Sequence, residues 1–186
     1  MDRVKRQMLV GDFELTSAWF SNQWQLVQQG VSLAEIERLG RIYVSMVTLP
    51  DGSRWALTPH GQGVVRVVDA AGDEFARITR RSWAGRRWDL TSMIYNYELI
   101  SNPRPRAWTI SLGGSPVADF RGSLVSYNHV IGNSLLAVPM SAVLLAWHVI
   151  ARPWEAAAEP RGLVPVPKPA TERGSLGPQP YPEATP

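Results

Sequence analysis

The chain has 186 residues, 45% of them hydrophobic and 19% charged, with a formal net charge of +3. It is too apolar to be disordered throughout, not apolar enough to cross a membrane many times, and long enough for one domain with a buried core plus a tail. With no cysteine, disulfides, thiolate zinc sites, cysteine nucleophiles and S-acyl anchors are excluded, and 17 of the 19 basic residues are arginine.

In chain order, residues 1–12 form an N-terminal segment without the apolar stretch of a secretory signal. A cytoplasmic start is expected, with the protein peripheral at the inner membrane face. From residue 13 to 154 the sequence reads as one β body. Alternation of apolar and polar residues marks half-buried strands at Trp24-Gln25-Leu26, Ile42 to Thr48, Trp55-Ala56-Leu57, Tyr95 to Leu99, Trp108 to Leu112 and Ala118 to Arg121. Ser32 to Leu39 also fits a short helix, but its neighbours favour a strand. Turn signals fall between the runs, among them Asp51-Gly52, Ala71-Gly72-Asp73, Ala84-Gly85 and Gly113-Gly114. The spacing predicts about a dozen short strands in an antiparallel meander.

One stretch of that body is chemically distinct. Arg77, Arg80, Arg81, Arg86 and Arg87 fall within 11 residues, interleaved with Trp83 and Trp88. Guanidinium groups grip phosphate in a bidentate fork and tryptophan favours the membrane interface, so these seven residues are the candidate lipid-headgroup site. The alternative is a solvated hairpin with ordinary arginines on its outer face.

The segment Leu135 to Ala151 carries no charge. Pro139 suits the first turn of a helix and Arg152-Pro153 suits its end, which predicts a helix at about 139–151, apolar on nearly every face. It fits either the inside of a barrel or a C-terminal membrane anchor. The strictly apolar part is shorter than the ~20 residues a bilayer needs, and a closed sheet of twelve strands has a lumen that such a helix would fill. Residues 155–186 follow, with eight of the 15 prolines between Pro160 and Pro186, and read as a disordered, Pro-rich tail able to recruit a Pro-recognising protein.

A meander of some twelve strands, followed by the helix PMSAVLLAWHVIARPW and containing the hairpin stretch RWALTPHGQGVVRVVDAAGDEFARITR, resembles the tubby-like barrel superfamily. That superfamily includes phospholipid scramblases and LURP-one-related proteins. The resemblance implies a mainly β fold, an antiparallel barrel closed around a hydrophobic C-terminal helix, and a function at phospholipid. This chain departs from scramblases in lacking cysteines and in placing its Pro-rich region after the barrel. Asp69, Asp73 and Glu74 lack the spacing of a calcium loop. No single residue matches the phosphoinositide site of tubby domains.

No catalytic motif is present. His60, His129 and His148 have no metal-ligand spacing, no serine sits in a Gly-x-Ser-x-Gly elbow, and neither Gly61-Gln62-Gly63 nor Gly113-Gly114 leads into a helix as a phosphate loop does. Glu35 and Glu37 share a strand face that suits water better than catalysis. The reading is therefore a non-enzymatic module, without cofactor or metal, that binds anionic phospholipid or a membrane surface. The alternatives are a protein-interaction scaffold working through the tail, or an anchored protein. No nucleic-acid module accompanies the arginine cluster.

Overall fold

The structure is a computed structural model and describes residues 7–19, 21–39, 44–61, 63–81, 86–104, 106–123 and 128–158, with side chains through Ala151. Among these are twelve strands: β1 (Met8–Ser17), β2 (Gln23–Gln28), β3 (Val31–Leu39), β4 (Val44–Thr48), β5 (Arg54–Pro59), β6 (Val64–Asp69), β7 (Glu74–Arg80), β8 (Arg87–Ser92), β9 (Asn96–Ser101), β10 (Ala107–Leu112), β11 (Ser115–Gly122) and β12 (His129–Pro139). Helix α1 (Met140–Ala158) follows β12 directly. Each strand pairs antiparallel with its sequence neighbours, and β1 pairs with β12 from Met8↔Pro139 to Thr16↔His129, closing the barrel.

Successive strands run in opposite directions, so the connections divide between two rims. The upper rim holds the turns at 29–30, 50–53, 70–73, 93–95 and 113–114, and it is where α1 enters. The lower rim holds the connections between β1 and β2, β5 and β6, β7 and β8, β9 and β10, and β11 and β12. At 113–114 the two-residue hairpin places Gly113 and Gly114 at φ 57° and 86°. That turn requires left-handed backbone twice, which explains paired glycines there.

The alternation read from sequence is the wall's inside–outside pattern. Leu26, Ile36, Leu57, Val67, Ile78, Leu90, Leu99 and Ile110 are buried with at most 1% exposure, while their strand neighbours face outward, except Ser111, which a bulge beside Ile110 leaves buried. Inside runs α1, buried from Met140 through Ala151, each large aliphatic side chain contributing roughly 1.5–3 kcal/mol on leaving water. Two polar pairs seat it. Near the upper rim the Tyr95 hydroxyl and Ser141 Oγ lie 3.1 Å apart; two turns on, His148 Nδ1 and Ser45 Oγ lie 2.9 Å apart. Between them Trp147 meets Trp24 edge-on at 5.2 Å. The apolarity of this segment is thus met by the barrel wall. Among the described residues, no helix is long and apolar enough to cross a membrane.

The helix boundaries differ from the predicted ones. Pro139 closes β12, paired with Met8, because a residue without an N–H is tolerated at a strand end as well as in a first helical turn. At the other end α1 continues through Pro153 to Ala158, although an interior proline removes its own donor and crowds the carbonyl four residues back; the Glu155–Ala158 run beyond it has high helix propensity. Ser32 to Leu39 lies in a strand, as the neighbouring pattern favoured.

Candidate functional site

The end of β7 and the start of β8 lie at the lower rim. Along β7, Ala76 and Ile78 point into the barrel. Arg80 has the same strand phase but lies where the wall ends, so it is exposed at the mouth. Gly63 fixes its root. Its carbonyl accepts the Arg80 N–H at 2.7 Å, and a Cβ on its left-handed backbone (φ 75°) would stand 2.9 Å from Arg80 Cβ. Opposite Arg80 in the ladder stands Trp88, half-buried and packed against the core.

Arg81 N–H donates to the Arg87 carbonyl at 2.9 Å, and Arg86 offers its carbonyl to Ser101 N–H at the same distance. These bonds bind the hairpin base to itself and to β9. Arg80, Arg81, Arg86 and Arg87 are all exposed. Arg81 lies on the outer face, where its Nη1 meets the Glu98 carboxylate and approaches Asp89 at 3.6 Å. Arg77 is not part of this group. It sits three residues back along β7, about 10 Å away, with Nε on Glu74 at 2.6 Å. Exposed pairs of this kind are worth ~0–1 kcal/mol each. Trp83 lies outside the described residues.

The structure adds arginines that the sequence reading passed over. Arg104, on the β9–β10 connection, and Arg121, near the end of β11, are exposed at the same end of the barrel. The Arg106 guanidinium donates to the Ser123 carbonyl and ties two lower-rim connections together. Arg38 follows Ala34 and Ile36 in the inward phase of β3, and its guanidinium lies 4.6 Å from the Trp147 ring centre and 6.0 Å from that of Trp24. That is cation–π distance in a partly desolvated place. A cation in the phase of the core residues was the signal that could have found it.

Beside this end, on the outer face of β11, β12 and β1, lies a groove of about 770 Å³ lined by Arg104 and Arg121 together with Asp12, Glu14 and Asp119. The carboxylates are engaged locally. Asn133 Nδ2 donates to Asp12 at 2.6 Å, Thr109 Oγ1 donates to Asp119 at 2.5 Å, and His129 Nε2 lies 3.3 Å from Glu14. The sign of charge is mixed here, as it is around Arg77 and Arg81 on the hairpin.

Elsewhere the candidate chemistry resolves into turns and surface. His60 is exposed, its N–H bonded to the Val64 carbonyl. Asp69 Oδ1 accepts the N–H groups of Ala71 and Asp73 at 3.0 Å each, the geometry of an Asx turn. Glu35 and Glu37 are both exposed on the outer face of β3. Among the described residues no group of three or more His, Asp or Glu side chains is placed to hold a metal ion.

An X-ray structure of a protein from Arabidopsis thaliana superposes on this barrel with a TM-score of 0.55, covering 80% of this chain and 94% of that one at 11% identity. The two share a fold. At that identity the likeness extends to architecture alone. No family model matches the chain, and no curated protein matches it.

Proposed function

We propose that this barrel is a non-enzymatic, tubby-like module of the scramblase or LURP-one-related type that binds anionic phospholipid at a membrane surface through its lower rim. One observation carries the reading: Arg80, Arg81, Arg86 and Arg87 stand exposed on a single hairpin, whose root is held by Gly63, β9 and the half-buried Trp88. A rigid base presenting forked donors suits phosphate oxygens. The closed barrel around an apolar helix supports the tubby-like assignment, because this architecture is the one the resemblance implies.

Each arginine near an anionic leaflet contributes about 1 kcal/mol, and salt screens the attraction. Co-flotation with phosphatidylcholine vesicles, with and without phosphatidylserine, tests the reading. The protein should float only with the anionic vesicles, and less so at high salt. The Arg80→Ala/Arg86→Ala/Arg87→Ala variant should bind roughly 100-fold more weakly, three such contributions together. Binding that ignores lipid charge, salt and these substitutions would overturn the proposal.

A further inference from the structure

The opposite end of the barrel has the reverse character. Of the ten large hydrophobic side chains exposed among the described residues, eight lie at or near the upper rim; the exceptions are Trp19 and Ile131. The centre of this patch is a bulge. Between Leu9↔Val138 and Gly11↔Ser134, β12 carries two more residues than β1. Alternation should bury one of any two consecutive residues, yet Leu135, Leu136 and Ala137 are all exposed. The Ser134 hydroxyl donates to the Leu136 carbonyl at 2.5 Å and pins the distortion. Bulges re-aim side chains, and this one turns two leucines to solvent, 59% and 56% exposed, beside Met8 and Val10.

The patch continues around the rim in both directions. On one side the turns add Leu112, then Ile94 and the fully exposed Met93. On the other, Val31 stands on the β2–β3 turn, which Gln28 ties to the Val10 carbonyl at 2.8 Å. The side chains together expose on the order of 800 Å², above the ~300–600 Å² of the largest patch on a typical monomer and close to the ~800 Å² per partner of a stable interface.

We propose that this half of the upper rim is the interface of a homodimer. The eight described side chains that make up this patch are apolar and uncharged, the composition of homodimer interfaces more than of transient ones. A two-fold pairing lays the same patch against itself, so an apolar surface needs no other complement. The closed barrel has no free strand edge, which leaves side chains as the means of contact. Among its described residues the rim also lacks the aromatic mark of insertion into lipid: no aromatic side chain is exposed, and the adjoining turns carry exposed Asp51 and Asp73 beside exposed Arg54, a mixed-charge border rather than a girdle of Trp and Tyr.

Sedimentation equilibrium of the full chain from 1 to 100 µM tests this. The wild type should give twice the chain mass. Leu135→Ser/Leu136→Ser and, separately, Met93→Ser/Ile94→Ser should raise the dimer Kd at least 100-fold with unchanged far-UV circular dichroism spectra, because all four side chains are exposed in the single chain, while Tm falls only by the stability lost with the partner. Arg80→Ala/Arg86→Ala/Arg87→Ala, at the other rim, should stay dimeric, which keeps this outcome separate from vesicle binding. A wild-type monomer at every concentration overturns the proposal, as does a dimer indifferent to both double substitutions. Flotation with uncharged phosphatidylcholine vesicles that depends on Leu135 and Leu136 would assign the patch to lipid and overturn it too.

Discussion

Replacing Gly132 by alanine tests how tightly the barrel is closed. Gly132 faces inward on β12, directly opposite Phe13 on β1, and the Phe13 ring lies across it. A Cβ at position 132 would stand 2.2, 2.4 and 2.9 Å from three atoms of that ring, so the ring must retreat by more than 1 Å to reach ordinary contact. It has nowhere to go: Phe13 is buried and already meets Phe120 edge-on at 5.5 Å. Overpacking of this kind costs about 1–3 kcal/mol, set against the 0.5–1 kcal/mol that alanine ordinarily gains over glycine in a strand. For a domain of this size, a net loss of ~1 kcal/mol lowers Tm by roughly 2–4 °C. Calorimetry and urea titration should show that loss in Gly132→Ala. In a Phe13→Leu background, the same substitution should become neutral or stabilising. Equal or greater stability of Gly132→Ala in the wild-type background would refute the reasoning, since it would mean that the seam accommodates a methyl group.

Burial holds the Tyr95 phenol up at about 12, with the Ser141 bond pulling partly back. An unfolded chain releases that proton near pH 10, so the stabilisation is complete below pH 10 and lost as the pH climbs through 12, on the order of 3 kcal/mol in all. Burial raises Tyr97 in the same direction. Urea midpoints measured at rising alkaline pH should fall, and Tyr95→Phe should flatten the slope; identical slopes would remove Tyr95 from the account. Ser45→Ala deletes the hydroxyl that meets His148 Nδ1 inside the barrel, at a cost of about 1–3 kcal/mol. An unchanged melting temperature would show that this bond does not seat the helix.

Strand existence was legible because a closed wall around an apolar helix imposes strict period-two burial, which Trp55-Ala56-Leu57 and Ala118 to Arg121 display openly. The helix was legible because no face of Met140–Ala151 meets water. What single residues could not reveal was their height along the barrel. Arg77 and Arg80 look alike in sequence, yet one lies on the outer wall against Glu74 and the other at the mouth. The Arg81–Glu98 contact spans 17 residues and two strands, so no local pattern announces it. The bulge at Leu135 was hidden for a related reason: an apolar run leading into a helix conceals the register jump against β1, more than 120 residues away.

The chain order also has a consequence for how the molecule is made. The wall is synthesised first and its filling last, since α1 comes after all twelve strands and β1 waits for β12 before the seam from Met8↔Pro139 to Thr16↔His129 forms. Pairing over such separations is slow, because most of the chain must be ordered before the contact that rewards it. Until β12 is available the first strand has one open edge, and until residue 151 is available the nascent sheet has an uncovered apolar inner face, the features most exposed to aggregation during folding. A ribosome stalled before α1 therefore leaves behind a sticky half-product, and the last helix works as the latch that turns a sheet into a protein.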